Sequence, residues 1–208
     1  TFGFQTAVQI ATDAIDRLHT TAESHDRVMV IEVMGRDAGW IALHAGIAGG
    51  ATAILVPEVP FNIAEVAAIV SKRHDRGRYA SLVVVAEGAK PIAGTLEVPE
   101  PQLDKYGREM HGSISQVIAP ELSRLTGFES RVVQLGHVQR GGTPTPYDRV
   151  LSTRFGLAAA DAVYAKAFGD MVVLNCGRIE RVSMSVTRGK TRTIDLALFQ
   201  DVAETFFG

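Results

Sequence analysis

The chain has 208 residues, 46% of them hydrophobic, enough to build a proper core and to exclude a disordered polypeptide. Its 21 basic and 23 acidic side chains leave a net charge of −2, so no global field attracts nucleic acid or an anionic membrane, and any anion site must be local. A single cysteine, Cys176, excludes an intrachain disulfide framework and a cysteine-based zinc knuckle and suits a reducing, cytoplasmic compartment. The chain opens Thr1-Phe2-Gly3-Phe4 with no initiator methionine, basic n-region or apolar signal core, so a processed chain or a fragment is expected. Val8, Ala11, Ala14, Ile15 and Leu18 recur at helical spacing and predict an amphipathic helix over about 4–20. The apolar run Val28-Met29-Val30-Ile31-Glu32-Val33 reads as a buried strand, and the pattern returns at 53–56, 82–85, 132–135 and 171–174. Helical patterns lie between these, at about 38–49, 63–74, 112–125 and 148–167. The 20 uncharged residues between Asp37 and Glu58 match a bilayer span in length, but four glycines, His44 and Pro57 break them into a helix and a short strand. Residues 90–112, with Pro91, Pro99, Pro101 and three glycines, read as an exposed excursion or lid. A run over 179–182 suggests a small hairpin after Cys176-Gly177-Arg178, and 195–205 a closing helix. Strands alternating with helices imply βαβ crossovers, hence an α/β fold, doubly wound, with a mainly parallel sheet covered on both faces.

In such a sheet, ligands bind beyond the carboxyl ends of the strands, where the backbone turns and helix N-termini face a crevice. Three strand ends share one composition: Val33 is followed by Met34-Gly35-Arg36-Asp37, Ala86 by Glu87-Gly88-Ala89-Lys90, and Leu135 by Gly136-His137-Val138-Gln139-Arg140-Gly141-Gly142. Each sets a glycine beside a charged or hydrogen-bonding side chain. The set suits a small polyhydroxylated anion, with Arg36, Arg140 and His137 as donors to phosphate and Glu87 as acceptor for sugar hydroxyls. Arg27 and Arg131, taken alone, read as solvated residues at strand starts. His19, His25, His44, His74 and His111 read as structural or surface residues, without the cysteine or carboxylate neighbours of a metal site. Arg188-Gly189-Lys190-Thr191 fails as a phosphate-binding loop, because the glycine required five positions before Gly189 is Met184. The run Lys72-Arg73-His74-Asp75-Arg76 reads as a solvated helix end whose cations favour the C-terminal dipole, and Cys176 as a small buried apolar residue.

The segments VMVIEVMGRDAGWIALHAGIAGGA, EGAK and LGHVQRGGTPTPYDR resemble the phosphofructokinase family, and TFGFQTAVQIATDAIDRLHTTAESHDR resembles the stretch just after its catalytic loop. The resemblance spans nearly the whole chain. GHVQRGG argues against the NAD and lipid kinases of related fold, and EGAK with the 90–112 excursion is similar to the actinobacterial subgroup of mixed ATP or pyrophosphate use. The resemblance implies doubly wound, Rossmann-like lobes and a 6-phosphofructokinase, a phosphotransferase moving a phosphoryl group from ATP or pyrophosphate to the 1-hydroxyl of fructose 6-phosphate. Met34, Gly35 and Arg36 would line the sugar phosphate, with Arg36 also stabilising transition-state charge. Glu87 would take sugar hydroxyls, while His137, Val138, Gln139 and Arg140 would meet the same substrate. Arg27 and Arg131 would reach the sugar phosphate of a neighbouring subunit, which implies a homodimer or homotetramer.

The family's donor loops, its Mg²⁺ ligands and its catalytic aspartate loop, written TIDND, precede the segment that Thr1–Phe4 resembles. The expectation is therefore a carboxyl-terminal fragment, inactive when isolated. Residues 1–139 would form the fructose 6-phosphate lobe, 140–190 would return to the donor lobe exposing apolar surface, and 191–208 would form a tail helix. If the chain is complete as given, it reads instead as a noncatalytic sugar-phosphate-binding or oligomerisation module. The family's bacterial effector pocket holds an arginine and a glutamate where this chain has His19 and Thr52, so the resemblance does not carry activation by ADP or inhibition by phosphoenolpyruvate with it.

Overall fold

A computed structural model describes residues 1–99, 102–103, 109–110, 112–189 and 191–207. Helix α1 (Phe4–Ser24) leads into β1 (Val28–Val33), then α2 (Trp40–Ala48), β2 (Ala53–Leu55), α3 (Ile63–Asp75) and β3 (Ser81–Ala86). A short antiparallel pair, β4 (Gln102–Leu103) and β5 (Glu109–Met110), lies within the predicted excursion; residues 100, 101, 104–108 and 111, including His111, are outside the described residues. Helix α4 (Ser115–Thr126) and β6 (Ser130–Gln134) complete a four-stranded sheet in the order β2-β3-β1-β6, all pairs parallel.

Side chains alternate across a strand with period two, and in β1 both sets are apolar apart from Glu32 near its end. Met29, Ile31 and Val33 face α1 and α2, joined by Ile15, Leu43 and Val84. Val28 and Val30 face α3 and α4, joined by Ile63, Val83, Ile118 and Leu122. Helices on both faces account for the continuous apolar runs, since neither side of β1 meets water. The uncharged stretch after Asp37 is α2 and β2, and among the described residues no helix is long and apolar enough to cross a membrane.

Helix α1 runs four residues past the predicted end because Ala22 continues the buried stripe of Ala11 and Ile15. Asn62 caps α3, its side chain accepting from the Ala64 N–H at 3.0 Å, and Lys72, Arg73 and His74 occupy the last turn. That helix end is less solvated than its composition suggests: Arg73 Nε donates to the Ala80 carbonyl at 3.0 Å, and the His74 ring stacks on Phe128.

After β6 a 3₁₀ turn (Gly136–Arg140) leads to α5 (Pro146–Tyr164) and an antiparallel hairpin, β7 (Asp170–Asn175) and β8 (Arg178–Ser183). Cys176 is exposed, which corrects the expectation that it is buried. It occupies the two-residue turn of this hairpin, with φ of 46° at Cys176 and 81° at Gly177, the conformation that matches the twist of paired strands. Among the described residues the hairpin has no further strand, and apolar side chains lie open on this part of the chain, Leu157 at 66% and Phe168 at 78% exposure. The tail comprises α6 (Leu196–Leu198), a π-helical turn (Phe199–Ala203) and α7 (Glu204–Phe207), so the predicted closing helix carries a wide turn at its centre. Ile194, Phe199 and Ala203 bury themselves in the α1–α2 side of the sheet.

Candidate anion-binding site

The chain leaves β1 over one face of the sheet, into α2, and leaves β3 toward the other, into α4. Because β1 and β3 are neighbours, their following loops part and open a crevice, the topological switch point of an open parallel sheet. Both glycine-bearing loops meet there. Glu87 Oε1 accepts hydrogen bonds from the backbone N–H of Gly35 at 3.2 Å and of Arg36 at 2.8 Å. Its second oxygen takes no hydrogen bond among the described residues, and the side chain is half-buried at the floor of the crevice.

The loop from Met34 to Gly39 is bent back on itself. The Ala38 N–H donates to the Gly35 carbonyl at 3.1 Å, and Arg36 sits in the left-handed region with φ of 52°, a conformation that costs a non-glycine residue roughly 1–2 kcal/mol. Two glycines make room for it. A Cβ at Gly35 would lie 2.4 Å from the Ala38 carbonyl oxygen, and one at Gly88 only 1.9 Å from the Arg36 carbonyl oxygen. The strain is thus held by the Glu87 carboxylate on one side and by close backbone packing on the other, and Arg36 remains exposed.

The third loop arrives from β6. His137, Val138 and Arg140 project from the 3₁₀ turn and are exposed, whereas Gln139 is buried with 1% exposure. The Gln139 amide donates to the Gly136 carbonyl at 3.2 Å, and its oxygen lies 3.4 Å from the Met34 N–H. Gln139 therefore braces two site loops from within. Beside Arg140 an open pocket of about 580 Å³ lies between the first turns of α1 and α5, with Phe4, Ile41, Gly142 and Arg149 on its walls. Below β1, the buried Glu32 carboxylate accepts from Ser113 Oγ, Ser115 Oγ and the Ser115 N–H at 2.6–3.0 Å, and from the Gln134 amide at 3.2 Å, joining the start of α4 to the end of β6.

Arg27 and Arg131 stand elsewhere. They lie at the amino ends of β1 and β6, about 20 Å from the loops at roughly 3.3 Å per strand residue. Both pair with Glu129, Arg27 through Nε at 2.7 Å and Arg131 through its terminal guanidinium nitrogen. The Arg27 hydrogen bond, with the charge of Arg131, holds the Glu129 carboxyl below the usual range despite some desolvation. So the chain brings together Met34, Gly35, Arg36, Glu87 and Gln139, with His137, Val138 and Arg140 beside them, and sets Arg27 and Arg131 on the opposite edge. His19 and Thr52 have structural partners: His19 Nε2 is 2.8 Å from the Gly49 carbonyl, and the buried Thr52 hydroxyl accepts from the Leu82 N–H at 3.1 Å.

Glu58 is a residue that sequence reasoning passed over. Its two oxygens each lie 3.1 Å from the Gly39 N–H, closing the far end of the Met34–Gly39 loop as Glu87 closes the near end. A signal existed, because Val56-Pro57-Glu58 follows β2 just as the acceptor Glu87 follows β3. Gly88 is a second such residue, its role visible only in the approach of another backbone.

The phosphofructokinase family model matches residues 1–163. Along its whole length the chain is 54% identical to a pyrophosphate–fructose 6-phosphate 1-phosphotransferase of Amycolatopsis mediterranei and 49% identical to an ATP-dependent 6-phosphofructokinase of Corynebacterium efficiens, and it spans 60% of the length of each. Among solved structures, phosphofructokinase of Saccharomyces cerevisiae superposes with a TM-score of 0.71 at 34% identity, over 96% of this chain and 24% of that one. A pyrophosphate-dependent phosphofructokinase of Marinobacter aquaeolei shares the fold, with a TM-score of 0.71 at 22% identity, over 92% of this chain and 48% of that chain. By the span of that match and the identity of these relatives, the chain belongs to the phosphofructokinase family.

Proposed function

We propose that this chain carries the fructose 6-phosphate-binding surface of a 6-phosphofructokinase, which transfers a phosphoryl group from ATP or pyrophosphate to the 1-hydroxyl of the sugar in cytoplasmic glycolysis. The observation that supports this reading is the clamp at the switch point, where one Glu87 oxygen fixes the strained Arg36 backbone and the other stays open to a sugar hydroxyl. Arg36 then presents a guanidinium to the transferring group, and His137 and Arg140 hold the 6-phosphate by charge-assisted hydrogen bonds. Met34, Gly35 and Val138 shape the wall, and Gln139 supports it from inside. In this reading 1–139 is the sugar-phosphate lobe, 140–190 belongs to the donor lobe, and 191–208 is the tail. In this reading Mg²⁺ accompanies the phosphoryl donor and neutralises its developing charge.

Arg27 and Arg131 are too far from their own crevice to act there, and we assign them to the sugar phosphate bound by a neighbouring copy in a dimer or tetramer. Glu129 holds both guanidiniums side by side before a dianion arrives. Arg131→Ala is expected to weaken fructose 6-phosphate binding about tenfold, since a hydrogen bond to a charged group contributes roughly 1.5 kcal/mol or more. An affinity within about twofold of the parent in a binding titration removes the clamp role.

Calorimetric titration with fructose 6-phosphate, repeated with ATP and with pyrophosphate and followed by an assay for fructose 1,6-bisphosphate, tests the function. Sugar-phosphate binding supports the assignment. Binding without turnover fits the sugar-phosphate-binding part of such an enzyme as well as a noncatalytic module, turnover assigns the whole reaction to this chain, and absence of binding overturns the reading.

A further inference from the structure

The tail is tied to the site loop by polar contacts as well as by its buried side chains. Trp40, the first residue of α2, donates its indole N–H to the Arg192 carbonyl at 2.8 Å, and the Arg192 guanidinium lies 5.5 Å from the Trp40 ring centroid. Two residues on, the Ile194 N–H donates to Glu58 Oε1 at 3.1 Å, the same oxygen that accepts from Gly39. Ile194, Phe199 and Ala203 then anchor the segment, each no more than 5% exposed.

Gly39 precedes α2 and offers no side chain to cap it, so Glu58 does so from the end of β2. Only glycine admits that carboxylate, for a Cβ at position 39 would lie 2.5 Å from Val56 Cγ1 and 3.0 Å from Glu58 Oε2. One carboxylate therefore joins β2, the tail and the loop that carries Arg36. The strained loop is held at both ends, by Glu87 at Gly35 and Arg36 and by Glu58 at Gly39. Its Glu58 end also depends on residues more than 150 positions away.

We infer that residues 192–203 form a strap that positions the Met34–Gly39 loop, with Glu58 as the positioning residue between them. The inference extends the proposed function in one respect, that the loop so positioned contacts the sugar phosphate.

Amide hydrogen exchange on the chain and on Trp40→Phe, Glu58→Ala and Glu58→Gln tests the strap without any ligand. The telling amides are those of Gly35 and Arg36, which bond Glu87 and touch neither substituted residue. Trp40→Phe keeps a smaller aromatic ring and removes the indole donor, and should speed their exchange about fivefold or more, the factor expected for one hydrogen bond near 1 kcal/mol. Glu58→Ala should speed it about tenfold or more, and Glu58→Gln, which keeps one acceptor oxygen, should recover part of the protection. Val83 and Val84 in the sheet should exchange at the parent rate in all three. Fructose 6-phosphate affinity should fall in the same order. Parent rates at Gly35 and Arg36 in both Trp40→Phe and Glu58→Ala overturn the strap, as does an equal acceleration at Val83 and Val84, which marks a role in general stability only. Should Glu58→Ala fail to fold, Trp40→Phe decides. A parent chain that binds no fructose 6-phosphate overturns the proposed function, while the exchange rates still judge the strap.

Discussion

Gly88→Ala is expected to weaken fructose 6-phosphate binding about tenfold or more while leaving the chain folded, because displacing the loop removes a hydrogen bond to a charged group, which contributes roughly 1.5–3 kcal/mol. The added methyl carbon would stand 1.9 Å from the Arg36 carbonyl oxygen and 3.0 Å from the carbonyl carbon, so it meets backbone rather than the movable end of a side chain. No rotamer relieves that contact. Either the β3 end or the Met34–Gly39 loop must withdraw, and the loop is the looser partner, held at Arg36 by the single 2.8 Å bond from its N–H to Glu87. Withdrawal breaks that bond and moves Arg36 from the position at which the proposed function places it on the substrate. The stability cost should remain within the roughly 1–3 kcal/mol of an overpacked site, so a thermal melt should still be cooperative. Gly156→Ala is the control: its Cβ meets nothing within 4 Å, and alanine within α5 should be neutral or stabilising by up to about 1 kcal/mol. Binding within threefold of the parent in Gly88→Ala would show that the loop does not depend on this contact. A companion substitution separates strain from function: Arg36→Gly should raise stability by about 1 kcal/mol, since glycine accepts φ of 52° freely, while abolishing the guanidinium's share of binding.

The strand and helix pattern was legible because burial on both faces leaves a periodic mark. Each buried strand is an apolar run, and α3 and α4 announce themselves by spacing. The carboxyl-end loops were legible for the same reason, as polar glycine-rich interruptions between such runs. What escaped were contacts between residues distant in the chain. Glu87 bonds backbone 51 and 52 residues away, and Glu58 bonds backbone 19 and 136 residues away, and neither leaves a trace in local spacing. Cys176 was misplaced because a small sulfur side chain after an apolar run reads as core, while a Cys-Gly turn is recognised only once the strands on both sides are paired. The strain at Arg36 follows from no sequence rule, since arginine is an unusual residue for a left-handed position. The burial of Gln139 and its bonds to Gly136 and Met34 likewise leave no mark in the spacing of the run that holds it.

Asp148→Ala should lower stability by about 3 kcal/mol or more, a melting shift of roughly 6–12 °C at 2–4 °C per kcal/mol for a chain of this size. The carboxylate is buried, and it gathers donors from the first turn of α1: the Gly3 N–H at 2.8 Å, the Thr6 N–H at 2.7 Å and the Thr6 hydroxyl at 2.6 Å. The Thr6 hydroxyl in turn accepts from the Thr145 N–H at 3.1 Å, and Thr145 caps α5. One side chain thus satisfies the orphan amides of α1 and locks it to the start of α5, beside the pocket next to Arg140. Removing it strands the buried N–H and hydroxyl of Thr6, each costing roughly 1–3 kcal/mol, and leaves the exposed Gly3 N–H to water. Asp148→Asn should be nearly as damaging, because its amide nitrogen would face donors on one side or the other. The pH dependence follows from the same geometry. Burial alone would raise the Asp148 pKa, but the bonds from Thr6, Gly3 and Thr145 outweigh it and hold the carboxyl below its ordinary value of about 3.9. A depressed carboxyl contributes stability that is present above about pH 3.9 and lost as pH falls through the folded value. His44, stacked on Trp40 and edge-on to Phe4, is lowered by burial from its ordinary value near 6.5, so the unfolded chain binds more protons just below that pH and stability declines there first. Chemical denaturation from pH 8 to pH 3 should therefore show two stages of loss, the upper one absent in His44→Gln and the lower one reduced in Asp148→Asn, where the lowered carboxyls of Glu129 and Glu121 still titrate. An Asp148→Ala cost under about 1 kcal/mol would mean that water rather than protein satisfies the first turn of α1, and a parent without the upper stage would mean that burial does not hold His44 below its ordinary value.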